Sequence, residues 1–298
     1  MNWIFFAILA PAIYASATYI DKYILEKEIE EYDSMPIYMA IVGLIAGCFF
    51  FTITGFPLLN LRDTCLILTT GILTTISSVF YFKALAYEDT GKINFLFQIF
   101  PIISLVLGFV LLRETITIQQ LLGFLFILFA TVGISVEKRK GKFYISKAFF
   151  LILIVDVLWA TSGVLMKFAI KTNSFSNVLS YESFGIFLGG FLIFIFYPNS
   201  KNAFLKNIKI VRKNTIKIIL LNESIVVFAK AVTFYAFSLG PLGLVSVLEG
   251  AQTFYAIVYG WFLTITFPLI FHEDITKRGL FKKIVLFLIL LLGIYLLF

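Results

Sequence analysis

Charge is scarce in this chain, and histidine and cysteine are scarcer. Only 14% of the 298 residues are Asp, Glu, Lys or Arg, with one His and two Cys. The lone His272 lies in IFHEDITKRG, and Cys48 and Cys65 have no CxxC spacing, so the chain cannot assemble a His or Cys metal centre by itself. A serine–histidine pair would need an imidazole at membrane depth, and no GxSxG elbow is present. Asp21 and Asp156 are the candidates for an intramembrane aspartyl pair, but neither carries such a motif. No Gly-rich loop ending in Lys is available to cradle ATP phosphates. The expectation is a protein that is not an enzyme and needs no cofactor.

What fills the chain instead is apolar. Hydrophobic residues make up 60% and aromatics 18%, and the mean hydropathy is +0.99. Soluble domains are about 45–50% apolar and about 25% charged, so these values describe an integral membrane protein. A helix needs about 20 apolar residues to cross a hydrocarbon core about 30 Å thick. Ten such runs occur, at 3–25, 35–55, 64–87, 93–113, 118–136, 147–170, 176–197, 217–238, 242–265 and 281–298. The opening MNWIFFAILA has no basic residue before its apolar stretch, which predicts a retained first helix rather than a cleaved signal.

Lys and Arg are unevenly shared between the two sides. The links after the first, third, fifth, seventh and ninth spans carry Lys27, Lys92, the cluster EKRKGKFYISK at 137–147, six basic residues from Lys201 to Lys217, and Lys277, Arg278, Lys282 and Lys283. The other side has only Arg62, Arg113, Lys167 and Lys171. Short-loop bias places the rich side in the cytoplasm and both termini outside. The net charge of +7 is thus a topology signal. Scattered over loops, it does not form a nucleic-acid surface.

The sequence repeats itself. FFAILAPAIYASATYIDKY at 5–23 aligns without a gap on FLILIVDVLWATSGVLMKF at 150–168, setting Tyr14 on Trp159 and Lys22 on Lys167. FKALAYEDTGKINF at 82–95 aligns on FYAFSLGPLGLVSV at 234–247, with Gly91 on Gly243, and Gly108 then falls on Gly260. LLGFLFILFATVGISV likewise resembles IVLFLILLLGIYLLF, with Gly133 on Gly293. Two five-helix halves follow, 1–140 and 141–298. Because five is odd, the second half enters the membrane from the opposite face, which gives the inverted repeat of secondary transporters. The expected fold is all-α, with ten transmembrane helices as two inverted five-helix repeats around a central cavity.

These features together resemble EamA-type members of the drug/metabolite transporter superfamily. The likeness is carried by APAIYASATYIDKYIL echoed in DVLWATSGVLMKFAI, by FKALAYEDTGKINFLFQIFPIISLVLGFVLLRE, and by QQLLGFLFILFATVGI. It implies that the first four helices of each half surround the cavity. The fifth and tenth would lie peripherally, where family members form a homodimer contact. The resemblance also implies cytoplasmic termini, against the basic loops, so import and export stay open.

Ionisable residues at depth nominate the site. Each charge at a helix centre costs about 2.5 to 3.5 kcal/mol on insertion scales. Glu223 and Lys230 lie seven residues apart in IILLNESIVVFAKAV and share a helix face, about 10 Å apart. Lys230 is too deep to snorkel, so it needs a partner, either Glu223 or a carboxylate on a neighbouring helix. Asp156, Glu182 and Glu249 are further carboxylates within spans, Glu182 being nearest the edge. Tyr14, Tyr81, Asn94 and Gln98 from the first half face Trp159, Gln252 and Tyr255 from the second. The candidate substrate-binding set is therefore Tyr14, Tyr81, Gln98, Asp156, Trp159, Glu182, Glu223, Lys230, Glu249 and Gln252. Lys22, Lys83 and Lys167 sit near helix ends and are expected to snorkel or to line a gate. The function expected is alternating-access transport of a small polar metabolite across the cell membrane, a zwitterion such as an amino acid being favoured. Glu249, Glu223 or Asp156 would be available for proton coupling. Alternatives are export of cationic drugs or amines and flipping of a lipid intermediate.

Overall fold

The structure, a computed structural model, describes residues 2–29, 31–88, 93, 96–135, 147–266 and 277–297. Gly91, Lys92, Asn94, residues 137–146 and His272 lie outside them. Among the described residues there is no strand. The first half holds α1 (Asn2–Tyr23), α2 (Met35–Ile53), α3 (Leu61–Tyr87), α4 (Phe100–Leu112) and α5 (Ile118–Ser135). The second holds α6 (Lys147–Ile170), α7 (Phe175–Phe196), α8 (Pro198–Ile210), α9 (Lys213–Leu239), α10 (Leu242–Glu249), α11 (Gln252–Thr266) and α12 (Lys277–Leu296). Seven described stretches are long and apolar enough to cross a membrane. Three shorter apolar helices, Phe97–Leu112, Ile118–Val132 and Ile284–Leu296, fall where the remaining expected spans lie. The chain is a multi-pass membrane protein.

Helix ends follow local chemistry. Asn60 caps α3, its side-chain oxygen accepting from the Asp63 amide at 2.8 Å. Arg113 takes a left-handed conformation after α4, φ 55°, and the Glu114 amide returns to the Gly108 carbonyl at 3.1 Å.

Four local features depart from continuous spans joined by loops. The first span ends in a π-helical turn, Ile24–Glu28, and the fourth begins as a 3₁₀ turn, Phe97–Ile99. The ninth is broken at Gly250 and Ala251, between α10 and α11. The Lys-rich link after the seventh span is a helix, α8, started by Pro198 at its first turn. Its buried Ala203 and Asn207 anchor it, and Asn207 Nδ2 donates to the Glu31 carbonyl at 3.1 Å and to Ser34 Oγ at 2.8 Å. Charge density hid that helix, because its buried stripe is only Ser200, Ala203 and Asn207.

Glycine brings α7 against both α2 and α3. A β-carbon added at Gly71 would lie 2.2 Å from the Glu182 carbonyl oxygen, one at Gly185 2.4 Å from that of Leu68, and one at Gly190 2.1 Å from Ala40 Cβ. Without an apolar driving force between helices in lipid, such backbone approach supplies the packing. Thr75 Oγ1 adds a cross-helix hydrogen bond to the Ile186 carbonyl at 3.0 Å. The seam fixes Glu182 against α3. Gly185→Ala should therefore lower thermal stability in detergent by about 1 to 3 kcal/mol through overpacking, while Leu221→Ala on the exposed face of α9 changes it little. A Gly185→Ala variant that unfolds at the wild-type temperature would contradict this close packing.

Candidate substrate-binding site

The polar residues of the interior meet in three adjoining groups. In the first, Glu182 from α7 pairs with Lys230 from α9. Both are buried, at 1% and 7% exposure. Thr74 Oγ1 lies 3.4 Å from the Lys230 ammonium, and the Phe234 ring 5.4 Å from it. Lys230 thus takes a partner from a neighbouring helix, not Glu223 on its own. Helix position suggests that Glu182 is near the membrane edge; the glycine seam buries it instead.

Tyr14 from α1 extends this group. It lies within electrostatic reach of both Glu182 and Glu249, and Thr233 stands beside Tyr14 and Glu249. Glu249 is the last residue of α10, at the helix break. Gln252 opens α11 and its Nε2 donates to Thr18 Oγ1 at 3.0 Å. Gly250 abuts the second candidate amide, since a β-carbon there would lie 2.7 Å from Gln98 Oε1.

The second group lies toward the far ends of α1 and α9. Tyr81 donates to one Asp21 oxygen at 3.2 Å and Asn222 Nδ2 to the other at 2.8 Å. Glu223 sits next to Asn222 and feels the Asp21 charge. The third group is aromatic. Trp159 stacks on Phe97 with centroids 5.1 Å apart and planes at 18°, Phe97 stacks on Tyr81 at 6.0 Å, and Trp159 Nε1 donates to Ser77 Oγ at 2.7 Å.

Asp156 joins none of these groups. It is fully buried, and among the described residues neither carboxyl oxygen has a hydrogen-bond partner. Two cavities lie beside the polar interior rather than in it. One, about 420 Å³, is lined by Ser16, Tyr19 and Tyr23 of α1, Ile218 of α9, and Tyr259 and Phe262 of α11. The other, about 260 Å³, lies against Glu114 and Gly243.

Some functional candidates escaped the sequence. Asp21 stands in the second group, although its sequence context suggested only an unmatched protease aspartate. Thr74 and Ser77 belong to a hydroxyl-rich run, TTISS, broken only by Ile76, whose four hydroxyl residues are all buried. Glu114, which follows a helix end and is not among the candidates above, pairs with Lys167 and accepts from the Leu242 amide at 2.7 Å. Lys167 also donates to the Gly240 carbonyl at 2.7 Å, so it does not snorkel freely.

Residues 1–136 match the EamA-like transporter family. The resemblance read in the sequence holds over that stretch, and the EamA-like family is one of membrane transporters rather than enzymes. No curated protein matches the chain in sequence. A crystal structure of a protein 14% identical superposes with a TM-score of 0.63 over 98% of this chain and 93% of its own, which shows a shared fold only.

The ion pair makes a test. Glu182→Gln leaves a buried ammonium alone and should cost about 3 kcal/mol, whereas the double change Glu182→Gln, Lys230→Met removes the orphan charge and should recover much of it. Thermal unfolding of the two variants in detergent measures the difference. Equal losses would mean that the two side chains do not interact.

Proposed function

We propose that this EamA-like protein is a secondary transporter of a small polar metabolite, an amino acid or similar zwitterion being favoured, working by alternating access in the cell membrane. One observation carries the substrate class: a buried centre holds both signs of charge, Lys230 with Glu182 and Glu249, gathered around Tyr14. A zwitterion offers its carboxylate to the ammonium and its ammonium to a carboxylate, replacing the water that both lose on burial. The helix break beside Glu249 also fits, because discontinuous helices expose backbone groups to substrates near the midplane.

The alternating-access reading takes the inverted-repeat architecture, with 1–140 and 141–298 as the two halves. Three features support it. Exchange of halves converts the α1–α9 packing into α6–α3, and turns α2–α7, α4–α10 and α5–α12 into themselves; all five packings are present. The aligned lysines make matching contacts: Lys22 donates to the carbonyls of Leu85 at 3.1 Å and Glu88 at 3.4 Å, and Lys167 to that of Gly240, the residue aligned with Glu88. The same register sets the 3₁₀ turn at Phe97–Ile99 on the break that follows Glu249. Lys22 and Lys167 are then gate residues on opposite faces. The basic loops put the Lys22 end of α1 in the cytoplasm. Apolar side chains exposed on α5 and α12, such as Leu125 and Leu288, leave that face open for a homodimer contact in the membrane.

A second reading, export of cationic amines, is favoured by the stacked Trp159, Phe97 and Tyr81, whose ring faces attract cations. Proteoliposome uptake of labelled amino acids, with and without competing aromatic amines, separates the two. Wild-type protein should accumulate at least one zwitterion, and Lys230→Met should reduce its uptake about tenfold or more, the loss of about 1.4 kcal/mol of binding. Uptake of no polar solute, with normal folding of a Glu249→Gln, Lys230→Met variant, would overturn the transport reading.

A further inference from the structure

The second polar group contains two acids and no base. Asp21 and Glu223 are 4% and 2% exposed, on helices that pack together, and they interact electrostatically. The neighbours account for themselves elsewhere. Lys22 turns to the α3 carbonyls and to Glu26, Lys230 is taken by Glu182, and Glu249 lies with Tyr14 further back along α1. From α11, Gln252 reaches Thr18 and not the acids. Among the described residues neither acid has a salt-bridge partner. Two like charges this deep are costly together, so one of the two acids readily holds a proton.

The hydrogen-bond inventory is short of one donor. Tyr81 and Asn222 each give a hydrogen bond to Asp21, one per carboxylate oxygen. The Asn222 amide oxygen, on a side chain with no exposed surface, has no partner of its own. Two carboxylates and an amide oxygen are all acceptors. A proton on the acid pair supplies the missing O–H donor. Because both existing donors address Asp21, that acid is the ionised member and Glu223 carries the proton.

The α1–α9 seam that holds the pair continues toward the basic side, past the buried Ile24 and Ile219. Seven residues beyond Asp21, Glu28 accepts hydrogen bonds from Tyr23 at 2.9 Å and from Thr215. Thr215 in turn lies seven residues before Asn222 on α9, so this mouth stands about 10 Å along the same α1–α9 seam. The π-helical turn Ile24–Glu28 lies there, a distortion common at functional sites.

We infer that Asp21 and Glu223 form the coupling site of the transporter, sharing one proton that enters along the α1–α9 seam. This rests on the transport reading and assigns coupling to an acid pair apart from the substrate centre. Uptake forms one carboxyl O–H bond on Glu223 with a proton from one aqueous face; release breaks it and delivers the proton to the other. The charge of the pair alternates between one negative and two, and no redox step or co-reactant is needed.

Infrared difference spectroscopy of the full chain in lipid, between acid and alkaline pH, reads the pair directly. The protonated-carboxyl band should lose a component in Glu223→Gln, shift in Asp21→Asn, and keep that component in Asp156→Asn. In proteoliposomes, Glu223→Gln should reduce pH-gradient-driven accumulation of labelled amino acids to the level without a gradient, while exchange without a gradient persists. A band unchanged in both Glu223→Gln and Asp21→Asn, or full gradient-driven accumulation in Glu223→Gln, overturns the assignment. Sodium-dependent thermal stabilisation that Asp21→Asn abolishes, without any infrared component from Glu223, also overturns it. If wild-type protein moves no amino acid, the transport reading fails alone, because the infrared arm still decides whether the pair binds a proton.

Discussion

The pairing of Lys230 with Glu182 is the contact around which the interior is organised. An ammonium buried among membrane-spanning helices is tolerated only with a carboxylate beside it, and a neighbouring helix supplies that carboxylate. The pairing depends on helix approach. Gly71 and Gly185 let α7 lie backbone to backbone against α3, which holds Glu182 where α9 can meet it. A larger side chain at either glycine would move the acid and strand the base. Apolar composition makes the helices, glycines set their distances, and those distances decide which charges the membrane interior will accept.

The scaffold and the site follow different symmetries in the inverted-repeat reading. Lys22 and Lys167 reach aligned carbonyls at the ends of α3 and α9, and the helix irregularities at Phe97–Ile99 and after Glu249 fall in register. The charged groups do not repeat: the position aligned with Asp21 is Met166, and Glu223 aligns with Gly71. A scaffold of two related halves suits motion between two equivalent openings. A site confined to one set of side chains suits an asymmetric solute, and here it also separates the acid pair near α1 from the mixed charges near Tyr14.

Periodicity and length made the helices legible, because a span must be about 20 apolar residues and little else satisfies that constraint. Helix phase puts Glu223 and Lys230 on one face, and both are buried, though with different partners. What phase cannot give is the rotation and distance of neighbouring helices, and that is where the reading of the site fell short. Glu182 looked marginal because depth was counted from its helix end, whereas the glycines that bury it act on α3. Asp21 looked inert because its partners, Tyr81 and Asn222, lie 60 and 201 residues away. Glu114 was invisible for a related reason: a carboxylate after a helix terminus is normally solvated, and only the fold brings Lys167 and the Leu242 amide to it.

The two lysine contacts also differ in strength, which bears on how the halves would exchange roles. Lys167 is largely buried and joins Glu114 as well as a helix-end carbonyl, with Glu114 simultaneously holding the start of α10. Lys22 has carbonyl contacts and a salt bridge to Glu26, whose side chain is 54% exposed. Exposed ion pairs contribute about 0 to 1 kcal/mol, whereas a shielded, multiply bonded pair contributes more. In the alternating-access reading proposed above, the firmer closure is then at the Lys167 face and the weaker one at the Lys22 face, where the α1–α9 seam and Asp21 also lie. A proton leaving Glu223 by that seam would restore a second negative charge beside Asp21, which Tyr81 and Asn222 already hold. Electrostatics at the acid pair and the packing of α1 against α3 and α9 are thereby coupled through the same three side chains.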